Sequence, residues 1–224
     1  MKTLAGVLVV VVVILAGWAW SRHERAANEH ALAGVASELA GRRVGVECQG
    51  FWAEMVDINN RSGDVPYPPG RVPDHMYLTR KICLALKHFR TASSHPQLDC
   101  LSAVDWSSWT AASDLGDPCT RHALSAANAV NTLTHESMHL RGFVNEAQAQ
   151  CYAIQFDAST VVRLGGTPAQ GAALARFVLA LQPLLPEEYQ SSDCRAGGGL
   201  DLHPETYAFP TEAAPSLPPP SLHG

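Results

Sequence analysis

The chain has 224 residues, of which 46% are hydrophobic and 17% charged, and a formal net charge of -5 at pH 7. Its 16 Lys and Arg are scattered, which argues against a nucleic-acid binder, because phosphate recognition needs a basic stripe. Two compositionally unusual ends leave a middle of ordinary single-domain size.

Residues 4–20 are apolar without a break, with Lys2 before them and Arg22 and Arg25 after. Trp18 and Trp20 stand where interfacial aromatics lie. The run is long, and the small residues Gly17 and Ala19 that could mark a cleavage site flank a bulky Trp18. Residues 1–22 are therefore expected to be a signal anchor in preference to a cleaved signal peptide. That places the remainder outside the cytoplasm on a single-pass cell-membrane protein, or secreted if cleavage occurs. Six cysteines follow, Cys48, Cys83, Cys100, Cys119, Cys151 and Cys194. None forms a C-x-x-C pair, so an even number behind an export segment predicts disulfides, with the pairing open.

Residues 23–41 read as a stalk or first helix, with Leu32, Val35, Ala36 and Leu39 on one face and Gly41 as terminator. Within 42–51, Val44, Val46 and Cys48 alternate, the best strand signal in the chain. Residues 59–73, crowded with Gly, Pro, Asn and Asp, read as a loop, and Asp74 is expected to open a helix to about Arg90 with Cys83 and Leu86 inward. Residues 91–115 read as a long loop tied down by cysteines, with Trp106 and Trp109 as core plugs.

Asp117 caps a predicted helix with Pro118 at its first position, and apolar residues recur through Leu140 before Gly142. A further helix begins near Val144 or Asn145 and runs to Gly165 and Gly166. Thr167 and Gln170 form a capping box around Pro168, opening a helix that lasts until Pro183. Gly197 to Gly199 lack the strand and helix of a phosphate loop and read as a flexible turn. Residues 210–224 are proline-rich and expected to be disordered. The predicted fold is mainly α, with little β structure, stiffened by disulfides.

The chemistry concentrates at His135, Glu136 and His139, an H-E-x-x-H in the last two turns of the helix after Asp117. Two histidines four residues apart share a helical face, so both imidazoles can reach one cation. Glu136 stays beside that cation without binding it, placed to take a proton from water that the metal activates. Chance gives roughly 0.02 such motifs in a chain of this composition, so its occurrence inside a predicted helix points to a zinc site. A catalytic zinc needs a third protein ligand, for which Asn145 and Glu146 are the candidates. In an unbroken helix Glu146 would lie about 10 Å beyond His139 at 1.5 Å per residue. Gly142 can instead end the helix in a left-handed conformation and return the next helix toward the metal. Glu146, which brings a charge that the Asn145 amide lacks, is the preferred ligand.

The segment from His135 through Gly142 resembles the active-site helix of the zincin metallopeptidases, over about 30 residues in all. The Gly142 spacing is similar to the metzincin branch, which takes its third ligand at the position of Asn145. No methionine follows the motif, however, so the methionine turn of that branch is lacking. Asn145-Glu146-Ala147 resembles the glutamate-ligand helix of the gluzincin branch, and the pattern is similar to bacterial membrane-anchored or secreted metallopeptidases. The resemblance implies a compact zincin-like catalytic domain over 42–209. It would hold Zn2+ on His135, His139 and Glu146 and cleave a peptide or protein substrate, with Glu136 as base and then proton donor. Tyr152, His203 and Tyr207 are possible transition-state donors, and Asp157 could orient a ligand histidine or face solvent. Zincins also bind extended peptide along an edge strand, for which the sequence offers little beyond 42–51. The alternatives are an envelope binding or structural protein that keeps the scaffold without catalysis, and a zinc hydrolase of a non-peptide amide.

Overall fold

The computed structural model describes residues 2–50, 62–67, 71–106, 109, 116–206 and 208–211, with side chains described from residue 11 onward. The proline-rich tail expected over 210–224 therefore lies almost entirely outside the described residues, as do Tyr207 and parts of the 59–73 and 91–115 loops.

Helix α1 runs without interruption over Lys2–Ala40. Its second half is a core element, burying Leu32, Val35, Ala36, Leu39 and Ala40, the face that the i, i+3, i+4 spacing marks. In its first half Val11 to Leu15, Trp18 and Trp20 are exposed. Among the described residues no helix is long and apolar enough to cross a membrane. The side chains of residues 1–10, part of the apolar run, lie outside them.

Strand β1 (Gly45–Cys48) is the predicted strand, and it pairs in parallel with β3 (His75–Leu78), with Val46 opposite Met76. A two-residue strand, β2 (Gly63–Asp64), pairs antiparallel to β3, Gly63 opposite Leu78, so the sheet order is β1-β3-β2. The helix expected from Asp74 is thus corrected. His75 to Leu78 alternate exposed and buried, the two-residue period of a strand. Helix α2 (Arg80–Thr91) then starts at Thr79, whose hydroxyl accepts from the Ile82 amide. The predicted 91–115 loop holds a short helix α3 (Pro96–Asp99) and a 3-10 turn over Cys100–Ala103. Trp106 and Trp109 pack on Phe177, with ring centroids 5.7 and 6.0 Å away.

Three helices then follow largely as the capping signals predict. Helix α4 (Pro118–Arg141) is capped by Asp117, whose carboxylate accepts from Cys119 N at 2.7 Å. Helix α5 (Glu146–Arg163) is capped by Asn145, and α6 (Pro168–Leu181) by the Thr167–Gln170 capping box. Helix α5 lies against both α4 and α6, while α1 and α2 pack on α4, which makes α4 the central element. Leu133, Met138, Leu140, Ile154 and Phe177 are wholly buried there, each contributing about 1.5–3 kcal/mol.

All six cysteines are paired, as Cys48–Cys83, Cys100–Cys119 and Cys151–Cys194. These bonds tie β1 to α2, the 3-10 turn to the start of α4, and α5 to the C-terminal segment.

Candidate metal centre

From Thr132 to Leu140 every residue of α4 is buried, although five of the nine are His, Glu, Ser or Thr on the sequence between 132 and 137 alone and His139 adds a sixth. Thr134 and Ser137 are satisfied by donating to the carbonyls one turn back, Val130 O at 2.9 Å and Leu133 O at 2.7 Å. His135, Glu136 and His139 are ionisable as well as polar. Three ionisable groups within five positions of a core helix carry a desolvation cost that a plain packing helix would avoid.

The turn after the helix explains how a third group joins them. Gly142 sits at φ 109, left-handed space that glycine enters without Cβ strain. Its amide donates to His139 O at 2.9 Å, and that of Phe143 donates to Met138 O at 3.2 Å, the paired bonds of a Schellman stop. Arg42 donates to Leu140 O at 2.7 Å and to Pro73 O, pinning the helix end to the start of the sheet. The chain reverses, and Asn145 caps α5 by accepting from Gln148 N at 2.9 Å. Asn145 is thereby engaged in capping, and Glu146, in the first turn, faces back onto the histidines.

Glu146 Oε2 lies 3.0 Å from His135 Nε2 and 3.1 Å from His139 Nε2, and the two Nε2 atoms are 2.9 Å apart. These three residues form a group that could hold a metal ion. Atoms bound at about 2.0–2.1 Å to a tetrahedral centre lie about 3.3 Å apart, close to the observed triangle. Two imidazole lone pairs and a carboxylate oxygen at this separation repel unless protons or a cation stand among them. The donor set itself, two nitrogens and one carboxylate, suits a borderline cation such as zinc. His139 Nδ1 donates to Phe143 O at 2.7 Å, which turns Nε2 toward the group.

Electrostatics agree with the geometry. Hydrogen bonds from His135 and His139 hold the Glu146 carboxyl well below the usual carboxylate range. Burial lowers the proton affinity of His135, keeping it neutral as a ligand must be. For His139 burial acts the same way, but the bond to Glu146 and the charges of Glu136 and Glu146 outweigh it and raise its pKa. Glu136 is buried beneath β2, where a Cβ at Gly63 would come within 2.8 Å of its Cγ and Oε1. Only a residue without a side chain allows the strand this close to the carboxylate.

Several residues at the site were not foreseen. The Tyr67 hydroxyl donates to His139 O at 3.1 Å and lies 3.2 Å from His139 Nδ1. Burial and the charges of Glu136 and Glu146 raise its pKa strongly. Tyr189 lies beside His135, with ring centroids 5.5 Å apart. Gln150 also acts on the His135 ring, working against the effect of burial on its proton affinity. Its place four residues after Glu146, on the same helix face, was the available signal. Tyr67 and Tyr189 approach from distant segments and carry no comparable signal.

Other candidates lie elsewhere. Tyr152 is buried against Phe143, and its hydroxyl accepts from Gln148 Nε2 at 3.3 Å. His203 pairs with Glu205 at 2.8 Å in the C-terminal segment. Asp157, expected to orient a ligand histidine or face solvent, is wholly buried and accepts from Asn131 Nδ2 at 3.0 Å. No family model, curated protein or solved structure matches the chain.

Proposed function

We propose that the protein is a zinc-dependent peptidase, tethered to the membrane by the first half of α1 and working outside the cytoplasm. The observation that carries this reading is the convergence of His135, His139 and Glu146 beside a buried glutamate that lies directly under a strand at the edge of the sheet. Three side chains are the number that a catalytic zinc takes from its protein. Bound there, the metal would supply Lewis acidity and lower the pKa of water into the neutral range.

The protein's own residues divide the remaining work. His135 and His139 present neutral Nε2 atoms, and Glu146 supplies the anionic oxygen. Glu136 accepts a proton from the attacking water and returns it to the leaving amine. Among the described residues β2 is the edge strand over Glu136, and an extended peptide added alongside it would pass over the carboxylate. This feature favours a peptide over a non-peptide amide, because main-chain pairing needs a substrate with a repeating amide backbone.

Metal analysis and peptide hydrolysis test the reading together. The purified protein should carry about one zinc, and Glu136→Gln should retain it while losing hydrolysis by at least about a hundredfold. Undiminished hydrolysis in Glu136→Gln would remove Glu136 from the mechanism. Stoichiometric zinc in Glu146→Ala would remove the third ligand.

A further inference from the structure

Beside His135, α4 and α5 share a line of buried and half-buried polar side chains that the proposed chemistry does not use. Gln150, 3% exposed, donates from Nε2 to Asn131 Oδ1 at 3.0 Å. Asn131 in turn donates from Nδ2 to Asp157 Oδ2 at 3.0 Å, and Asp157 is fully enclosed. With its amide nitrogen committed to Asn131, Gln150 has Oε1 left, and its side chain acts on the His135 ring. His135 Nε2 is engaged with Glu146 and His139, so Nδ1 is the atom that remains for it. Nδ1 is buried without a hydrogen-bond partner, which leaves it open to Gln150.

Two amide donors therefore point one way, from Gln150 to Asn131 and from Asn131 to Asp157, and leave Gln150 Oε1 as an acceptor for the ring. An amide that donates at one end becomes a better acceptor at the other, so each bond reinforces the next in a low-dielectric interior. The helical geometry makes the line possible. Asn131 lies four residues before His135 on α4, and Gln150 lies four residues after Glu146 on α5, so both fall on the faces that the ligands occupy.

Resting on the zinc reading, we propose that Gln150, Asn131 and Asp157 form a relay that fixes His135 with its proton on Nδ1 and its Nε2 lone pair directed at the metal. Asp157 is then a remote positioning residue, two amides away from the ligand that it orients. A carboxylate touching the ligand histidine directly would do the same with one bond. Here the carboxyl group stands further off, and two neutral amides link it to the ring.

Zinc affinity of the full chain, measured by competition with a chromogenic chelator, tests the relay against a merely structural role. Gln150→Leu and Asn131→Leu should each weaken zinc binding by about 10–100-fold, the range for lost outer partners of a ligand histidine. The double variant should bind no more weakly than Gln150→Leu alone, since breaking the first link disconnects the second. Additive losses, or an unchanged affinity in Asn131→Leu, would overturn the relay while leaving the zinc site standing. Absence of zinc from the wild type would overturn both. A second readout keeps the test independent of variant stability. In the zinc-loaded wild type the His135 Nδ1 proton should be seen by NMR and protected from exchange. It should lose protection in Asn131→Leu, which breaks the line at its second link, and keep it in Asp157→Asn, which retains an oxygen for Asn131. Rapid exchange in the wild type would also overturn the proposal.

Discussion

Asp157 is the residue at which burial and ionisation conflict most openly. Its carboxyl is pushed up to about 8, chiefly by burial, against hydrogen bonds from Asn131 and Thr134 that pull it down. An unfolded aspartate releases its proton near pH 4. From there to about pH 8 the folded chain holds a proton that the unfolded chain has lost, so stability falls as pH rises. The contribution is complete below about pH 4 and lost by about pH 8. Asp157→Asn has no charge to bury, and the metal-free variant should gain in Tm over metal-free wild type across this window, with no further gain above it. A constant Tm difference from pH 4 to 9 would show that the carboxyl does not titrate there.

Gly142 links residue to element, because its conformation sets where α5 begins. Placing an alanine at φ 109 costs about 1–2 kcal/mol in the left-handed region. Gly142→Ala should therefore lower stability to urea by that amount. It should also weaken zinc binding by about tenfold or more, since Glu146 reaches the histidines only through this reversal. Gly142→Asn should recover part of both, as asparagine tolerates the left-handed region. Lost stability with unchanged zinc affinity would mean that packing between α4 and α5 holds Glu146 without the turn.

The same elements show what a sequence can and cannot disclose. Helices α4, α5 and α6 were legible because Asp117, Asn145 and Thr167 cap them through bonds spanning two or three residues. The cluster of His135, His139 and Glu146 was legible for a related reason, since helical spacing and one glycine place all its members within a dozen residues. Strand β3 was not, because four residues give a weak period and its pairing with β1 joins positions 30 apart, Val46 with Met76. Strand β2 is two residues long, and its meaning lies in a contact with Glu136 that no local pattern records. Tyr67 reaches His139 across 72 positions. Disulfide pairing was equally closed to local reading, because sequence separations of 35, 19 and 43 reflect which elements meet in the fold.

At the scale of the whole molecule, α1 is one helix with two environments. Beyond about residue 28 it belongs to the core, where Asn28 donates to Cys83 O at 3.3 Å and Leu32 to Ala40 are packed against the sheet and α4. Before that, Val11 to Leu15, Trp18 and Trp20 present apolar surface with exposures of 46–66%, which in water carries a cost of about 25 cal/mol per Å². A bilayer would remove that cost, and Arg22 stacked over Trp18 at 4.6 Å matches an aromatic and a cation meeting at an interface. A continuous helix would then couple the membrane rigidly to α4, without the slack of a linker, and hold the metal group at a set height above the surface. The full chain should stay with membranes through alkaline carbonate washing, whereas a chain lacking residues 1–20 should be soluble and still bind about one zinc, because the ligand elements lie wholly beyond that segment. Release of the full chain by carbonate would show that the exposed face of α1 meets something other than lipid. Solubility of the shortened chain together with loss of zinc would show that the first half of α1 supports the fold of the site.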